Sequence, residues 1–451
     1  MLHPGPGHSP ELVAQNQRER LLAATVVAIA ENGYEQTPIA ELLKLSGISR
    51  TTFYQHFPGG KEECFLAAVD AATSTGLAAV EQGCAGGGSW EESLAAGMDA
   101  LAHALVDQPA ATRLCLVEVH CAGAEGLAHA DKAANDFALL LSEAFGRSPE
   151  RAAIPPVIVS ALVAGIRRVL ETRVAGGDIP RLPSLMPQLT EWVLSYPNPP
   201  VPIRRPRSRP PADGATRFVV HDQVERIFGA VAATVAEKGY PAMTLDDIVK
   251  GASASLTTFY QHFDGKEEAF LAAYDAATAQ ANAAALPPYR WSRGWPLAVR
   301  AALEAYLSFY AAEPGWARIA TVDVLTVGPA GFAHRDRSLG LFEEILAPGA
   351  DESETGALVV EAIGGAVHGL MRDQIRRRGA EHLSQILPAA TYVTLAPFIG
   401  ADEAIAVANR GALRSRGQGD ESRGQGTTHQ GRMGAEALGR RPPRRRGGHA
   451  S

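Results

Sequence analysis

The sequence predicts an all-α fold built twice from one plan, and two observations predict it. The word Thr52-Phe53-Tyr54-Gln55-His56-Phe57 returns unchanged as Thr258-Phe259-Tyr260-Gln261-His262-Phe263, 206 positions later. Two copies of a word this rich in aromatics mean an internal duplication, which is settled before any single element is read. Apolar residues recur at helical spacing through both copies, and strand-like alternation is missing throughout.

Bulk properties narrow the function classes. A chain of 451 residues predicts two or three domains. Its net charge of −7 excludes a generic polyanion binder, so any nucleic-acid contact must be local. Four cysteines, all between Cys64 and Cys121, suit a reducing compartment rather than a disulfide framework. Residues 1–10 lack the basic region and apolar core of a signal peptide, and the apolar run around 154–166 is too short to span a bilayer. The expectation is a cytoplasmic protein without a membrane.

In chain order, residues 1–13 read as disordered. Leu21, Leu22, Val26, Ile29 and Ala30 define an amphipathic first helix that ends at Gly33-Tyr34. Helices follow at about 38–45, 49–56 and 60–80, with Thr37 and Ser49 as caps and a Gly-containing turn between the second and third. That turn has the length of a helix-turn-helix. The second copy repeats the plan with Gly239-Tyr240, Thr244 and Ser255 as caps, and a turn over 251–254. There Ala254 replaces Ile48, and Ala252 is read in place of Gly47. Lys61-Glu62-Glu63 and Lys266-Glu267-Glu268 open the next helix of each copy.

The repeat extends further. A shift of 205 brings Trp90 onto Trp295, Pro109 onto Pro314, Arg113 onto Arg318, His129-x-Asp131 onto His334-x-Asp336, and Phe137 onto Phe342. A four-residue slip then aligns Pro187 with Pro388. Helical bodies are therefore expected at 63–196 and 268–400, behind heads at 14–62 and 218–267. Residues 197–217 read as a Pro/Arg-rich linker; the stretch from Tyr196 carries seven prolines and five arginines. At about 3.1 Å per residue it could reach roughly 70 Å. Residues 401–451 read as a disordered basic tail.

The pattern of Gly-Tyr, Thr, Gly-Ile-Ser, Thr-Phe-Tyr-x-His-Phe and Lys-Glu resembles the DNA-binding domain of the TetR/AcrR family of transcriptional regulators, present twice. Each head would be a three-helix helix-turn-helix domain, followed by a ligand-binding and dimerisation body. In such a motif the N-terminal residues of the second helix meet the base edges. These are Arg50, Thr51 and Thr52 in one head, and Leu256, Thr257 and Thr258 in the other. Arg50 can reach a guanine; Leu256 offers only an apolar surface. The resemblance implies phosphate contacts from Tyr54, Tyr260, His56, His262, Lys61, Lys266, Thr37 and Thr244. Phe53, Phe57, Phe259 and Phe263 read as core.

The resemblance further implies a repressor released from double-stranded DNA by a small-molecule effector. The Ala-, Leu- and Val-rich bodies suit an apolar compound, with Trp90, His120, Trp295, Trp316 and His368 as candidate lining residues. Residues 159–170 and 360–370 are the expected pairing faces. One chain holding both heads could act as a pseudo-dimer on a near-palindromic operator, or two chains could form a homodimer. A helical protein-interaction module with lapsed DNA binding is the alternative. The two His-x-Asp pairs lack a third ligand at helical spacing, and no phosphate loop or nucleophile elbow is present. No enzyme, metal or cofactor is therefore expected. Cys115 and Cys121 read as inert core.

Overall fold

The computed structural model describes residues 9–86, 88–204, 206, 222–350 and 353–410. Among these there is no strand. The first half runs α1 (Pro10–Asn32), α2 (Ile39–Ser46), α3 (Arg50–His56), α4 (Lys61–Cys84), α5 (Trp90–Asp107), α6 (Pro109–Leu116), a 3-10 turn over Glu118–Ala122, α7 (Gly123–Gly146), α8 (Pro156–Ala175) and α9 (Leu182–Leu194). The second runs α10 (Gln223–Ala242), α11 (Leu245–Gly251), α12 (Leu256–Tyr260), α13 (Lys266–Trp291), α14 (Trp295–Ala312), α15 (Pro314–Thr321), a 3-10 turn over Asp323–Val327, α16 (Pro329–Arg337), α17 (Gly340–Leu346), α18 (Glu354–Arg378) and α19 (Leu387–Ala408).

Local chemistry sets the ends of the head helices. Ser49 and Ser255 cap α3 and α12, each accepting the backbone N–H three residues on. Gly33 and Gly239 sit at φ 82° and 76°, where a side chain would be strained, and turn the chain out of the first helix of each head. Phe53, Phe57, Leu42 and Ile48 form a small separate core in the first head. Phe259, Phe263, Ile248 and Phe228 of the second head belong to the continuous core of the bodies. Phe228 stands where the first copy has Leu22, adding volume to a head in which Ala254 replaces Ile48.

The two halves pack along α8 and α18. Small residues let the helices approach. A Cβ on Gly365 would lie 2.6 Å from the Cβ of Arg168, and one on Gly369 would overlap the Cβ of Ala164. The shift of 201 that aligns Pro187 with Pro388 maps Ala164 onto Gly365 and Arg168 onto Gly369. The two crossings are therefore one contact repeated about a local two-fold axis, the signature of an isologous interface.

Three boundaries differ from the sequence reading. α1 begins at Pro10 behind the Ser9 cap, and Val13 is buried, so the first helix reaches into the stretch read as disordered. α19 continues through a kink at Gly400 to Ala408, because Ala404, Ile405, Val407 and Ala408 still find apolar neighbours. The start of the proline-rich stretch is held rather than solvated. Tyr392 donates to the Pro197 carbonyl at 3.0 Å, and the Arg204 N–H donates to the Asn409 side chain at 2.8 Å. The remainder of the linker reading and the basic tail from 411 onward lie outside the described residues. Two segments, Lys61–Cys84 and Ala380–Ala408, are long and apolar enough to cross a membrane by length and composition, which the search for one uninterrupted apolar run missed. The second is 67% buried within the fold.

Candidate nucleic-acid interface

Each recognition helix presents the same face outward. Arg50, Thr51 and Tyr54 are exposed on α3; Leu256, Thr257 and Tyr260 are exposed on α12. Leu256 is 53% and Tyr260 54% exposed. The Arg50 guanidinium lies 5.9 Å from the centre of the Tyr54 ring. Thr52 and Thr258 are half-buried, each sharing a 2.9 Å hydrogen bond with the serine that caps its helix. The inward residues Phe53 and Phe259 are fully buried, as expected.

The residues assigned to phosphate divide into three groups. Tyr54, Tyr260 and His262 are exposed. His56 is half-buried with Nε2 3.2 Å from Gln17 Oε1, and burial together with the Arg18 charge pushes its pKa down. Lys61 and Lys266 are folded back onto their own heads. Lys61 donates to the Tyr34 carbonyl at 2.8 Å and lies over the Tyr34 ring; Lys266 donates to the Met243 carbonyl at 3.2 Å and lies over the Tyr240 ring. Each lysine braces the turn that follows the first helix of its head.

Thr37 is a correction. It is 1% exposed and donates to the carbonyls of Gly33 and Ala28, so it can neither cap α2 nor meet a phosphate. Pro38 occupies the cap position of α2, without a side-chain bond. Thr244 does cap α11, in a reciprocal box with Asp247. In register Thr37 pairs with Met243 and Pro38 with Thr244, an offset of one from the sequence reading. The same offset corrects the turn. Ser253, not Ala252, occupies the place of Gly47; their φ values are 49° and 64°.

Behind the heads, each half has one buried acid on its 3-10 turn. Glu118 accepts the Tyr34 N–H at 3.0 Å and pairs with Arg113 at 3.1 Å. Asp323 accepts the Tyr240 N–H at 2.8 Å and pairs with Arg318 at 3.1 Å. The two turns pack on each other.

A cavity of about 380 Å³ lies in the first body, lined mainly by apolar side chains including Leu94, Met98, Leu101, Phe137, Leu141 and Leu170. Arg167 is on its wall. None of the five side chains proposed from the sequence lines it. Trp90 packs edge-on to Phe145 and beneath Arg151. His120 is buried 3.3 Å from Glu171. Trp295 donates to the Ile345 carbonyl, Trp316 is core, and His368 stacks on Tyr306, all in the second body. Sequence reasoning missed the lining because leucine, methionine and alanine carry no signal apart from ordinary core.

Between the halves lies a buried charge cluster that sequence reasoning also missed. Glu171 accepts from Arg167 at 2.6 Å and from Arg335 of the second half. The flanking guanidinium groups hold its carboxyl well below the usual range despite burial. Arg376 reaches across to Asp131, and Thr172 donates to Asp336 at 3.0 Å. His129 and His334 brace their bodies through Asp70 and Asp275. Burial pushes the thiols of Cys115 and Cys121 up to about 11 and about 12. Among the described residues no group of three or more His, Cys, Asp or Glu is placed to hold a metal ion.

Comparison with known proteins matches the sequence of both heads to a family of domains. The profile of bacterial regulatory proteins of the tetR family matches residues 21–68 and again 227–273. An uncharacterized HTH-type transcriptional regulator of Mycobacterium tuberculosis is 38% identical over 56 residues, which is 12% of this chain and 29% of the relative. The HTH-type transcriptional regulator LmrA of Bacillus subtilis is 36% identical over 55 residues, again 12% and 29% of the two chains. The chain thus spans under a third of the length of these curated relatives. Among solved structures, the fatty acid degradation regulator FadR from Bacillus halodurans aligns at 16% identity and a TM-score of 0.36, over 39% of this chain and 97% of that one. The two profile matches fall on the two heads, α1–α4 and α10–α13, and the chain carries two tetR-family DNA-binding domains in tandem.

Proposed function

We propose that the chain is a sequence-specific DNA-binding transcriptional regulator whose two heads read the two halves of one near-palindromic operator, as a single-chain pseudo-dimer. The observation that carries this reading is the repeated Ala164–Gly369 and Arg168–Gly365 crossing of α8 and α18, which pairs the halves within one chain as subunits pair in a dimer. Exposed faces on both α3 and α12 support it, as does the match of both heads to the family. Covalent linkage makes docking of the second head intramolecular, with an effective concentration of order mM. An apolar effector in the first-body cavity would shift the spacing of the heads and release the operator, which makes the protein a repressor; this coupling must be reciprocal.

The test is titration of the purified chain against a selected operator duplex across a salt series. A regulator loses affinity steeply with salt yet keeps its preference over unrelated sequence. Affinity without sequence preference, or none, would favour the protein-interaction alternative, for which the exposed Leu256 and Tyr260 of the second head provide an apolar surface.

A further inference from the structure

The two bodies share a plan but differ where the first has its cavity. Leu101, Ala104, Leu105 and Ala111 all line that cavity. The shift of 205 places Tyr306, Phe309, Tyr310 and Trp316 at these positions. Two leucines and two alanines have become four aromatic side chains, none more than 3% exposed. Three of them pack together. Tyr306 and Tyr310 lie edge to face at 5.0 Å, and Phe309 and Tyr310 at 5.2 Å. The wall residue Arg167 is replaced, in the register of α8 and α18, by His368, which stacks on Tyr306 and bonds its hydroxyl at 3.1 Å. The space that is open in the first body is filled by the second body's own side chains.

We infer that the effector site exists once per chain, in the first body, and takes a neutral, largely apolar molecule, while the second body is plugged. This rests on the reading of the cavity as an effector site. Neutrality follows from the lining. The Arg167 guanidinium is already committed to Glu171 at 2.6 Å and to the Ala130 carbonyl at 2.8 Å, and the other charged wall residues, Arg147 with Glu81 and Glu143, carry no surplus of positive charge to pair with an anion. A homodimeric regulator has two equivalent pockets by symmetry; here duplication has released the second copy to become a solid support.

A single site need not act on one head alone. Arg167 touches both the cavity and Glu171, and Glu171 holds Arg335 of the second half and lies beside His120 of the first 3-10 turn. Arg335 in turn sits on α16, directly after the second 3-10 turn. Occupancy at one wall therefore bears on the elements that hold both heads.

The test uses the full chain without DNA, titrated with N-phenyl-1-naphthylamine, a neutral apolar fluorophore. The expected stoichiometry is one site per chain. Leu101→Tyr with Leu105→Tyr, which copies the second body into the first, is expected to weaken binding at least tenfold with thermal unfolding still cooperative. Tyr306→Phe in the second body is expected to leave stoichiometry and affinity unchanged. Two equivalent sites, no binding to the unsubstituted chain, or full binding by the folded double variant would overturn the inference. Should the double variant not fold, the stoichiometry of the unsubstituted chain still decides. Operator binding is measured separately, so its failure would strike the regulator reading and leave the site count standing.

Discussion

The carboxylate of Glu118 accepts the backbone N–H of Tyr34, 84 residues earlier, at 3.0 Å. Asp323 does the same for Tyr240 at 2.8 Å. In both halves the bond joins the turn after the first head helix to the 3-10 turn of the body. Glu118→Ala and Asp323→Ala should each lower stability by about 1–3 kcal/mol, the range for losing a buried bond to a charged group. Urea unfolding measures it. Head orientation should loosen as well, seen as faster hydrogen exchange at Tyr34 or Tyr240. Unchanged exchange would show that other contacts hold the head.

Stability should fall as pH drops below about 6.5, before ordinary carboxylates titrate. Burial pushes His120 down to about 4 and His368 to about 3, with Arg167 and Arg372 adding to the effect at His120, and Arg168, Arg335 and Arg372 at His368. Glu171 acts in the opposite sense on His120, but burial outweighs it. With the folded pKa depressed, the unfolded chain binds a proton that the folded chain refuses, so stability rises with pH through this window. The slope is roughly 1.4 kcal/mol per pH unit for each histidine. Urea midpoints between pH 7 and pH 4.5 test it, and a flat profile would contradict these burials.

The crossing of α8 and α18 should not tolerate side chains. Gly369→Val would press on Ala164, and Gly165→Val on the Ala362 carbonyl, which lies 2.5 Å from a built Cβ, and on Trp192. Overpacking of this kind costs typically about 1–3 kcal/mol, and more where backbone is struck. The halves should separate, with a larger radius in small-angle scattering, while helical content stays near that of the unsubstituted chain.

The unequal recognition helices predict unequal half-sites. Arg50→Ala should relax preference at one half-site by about 1–3 kcal/mol, the worth of a bidentate guanine contact. Leu256→Ala should act at the other. Binding measured on operators with each half-site scrambled separates the two, and equal loss at both halves would sink the asymmetric reading.

The heads were legible because their information is local and repeated. Caps at Ser49 and Ser255, the glycines at positive φ and the buried phenylalanines all lie within one short stretch of each head, Gly33 to Phe57 and Gly239 to Phe263. The slip at Thr37 arose because threonine serves equally as a cap or as a buried donor to a helix end, and only the tertiary position decides. The bodies were legible as helices but not as a site. Whether Leu101 lines a cavity or fills a core depends on what stands across from it on α7 and α8. Likewise Glu171 and Arg335 are 164 positions apart, and nothing in their neighbourhoods announces that they meet. The helix α19 outlasts the expected boundary at 400 because burial of Ala404 and Ile405, which only the tertiary packing decides, carries it on.

The most direct test of the central claim is the mass in solution of the full chain, alone and on a selected operator duplex, by light scattering. The pseudo-dimer account predicts one chain alone and one chain per duplex, both heads engaged. Two chains per duplex, with four heads, would contradict it.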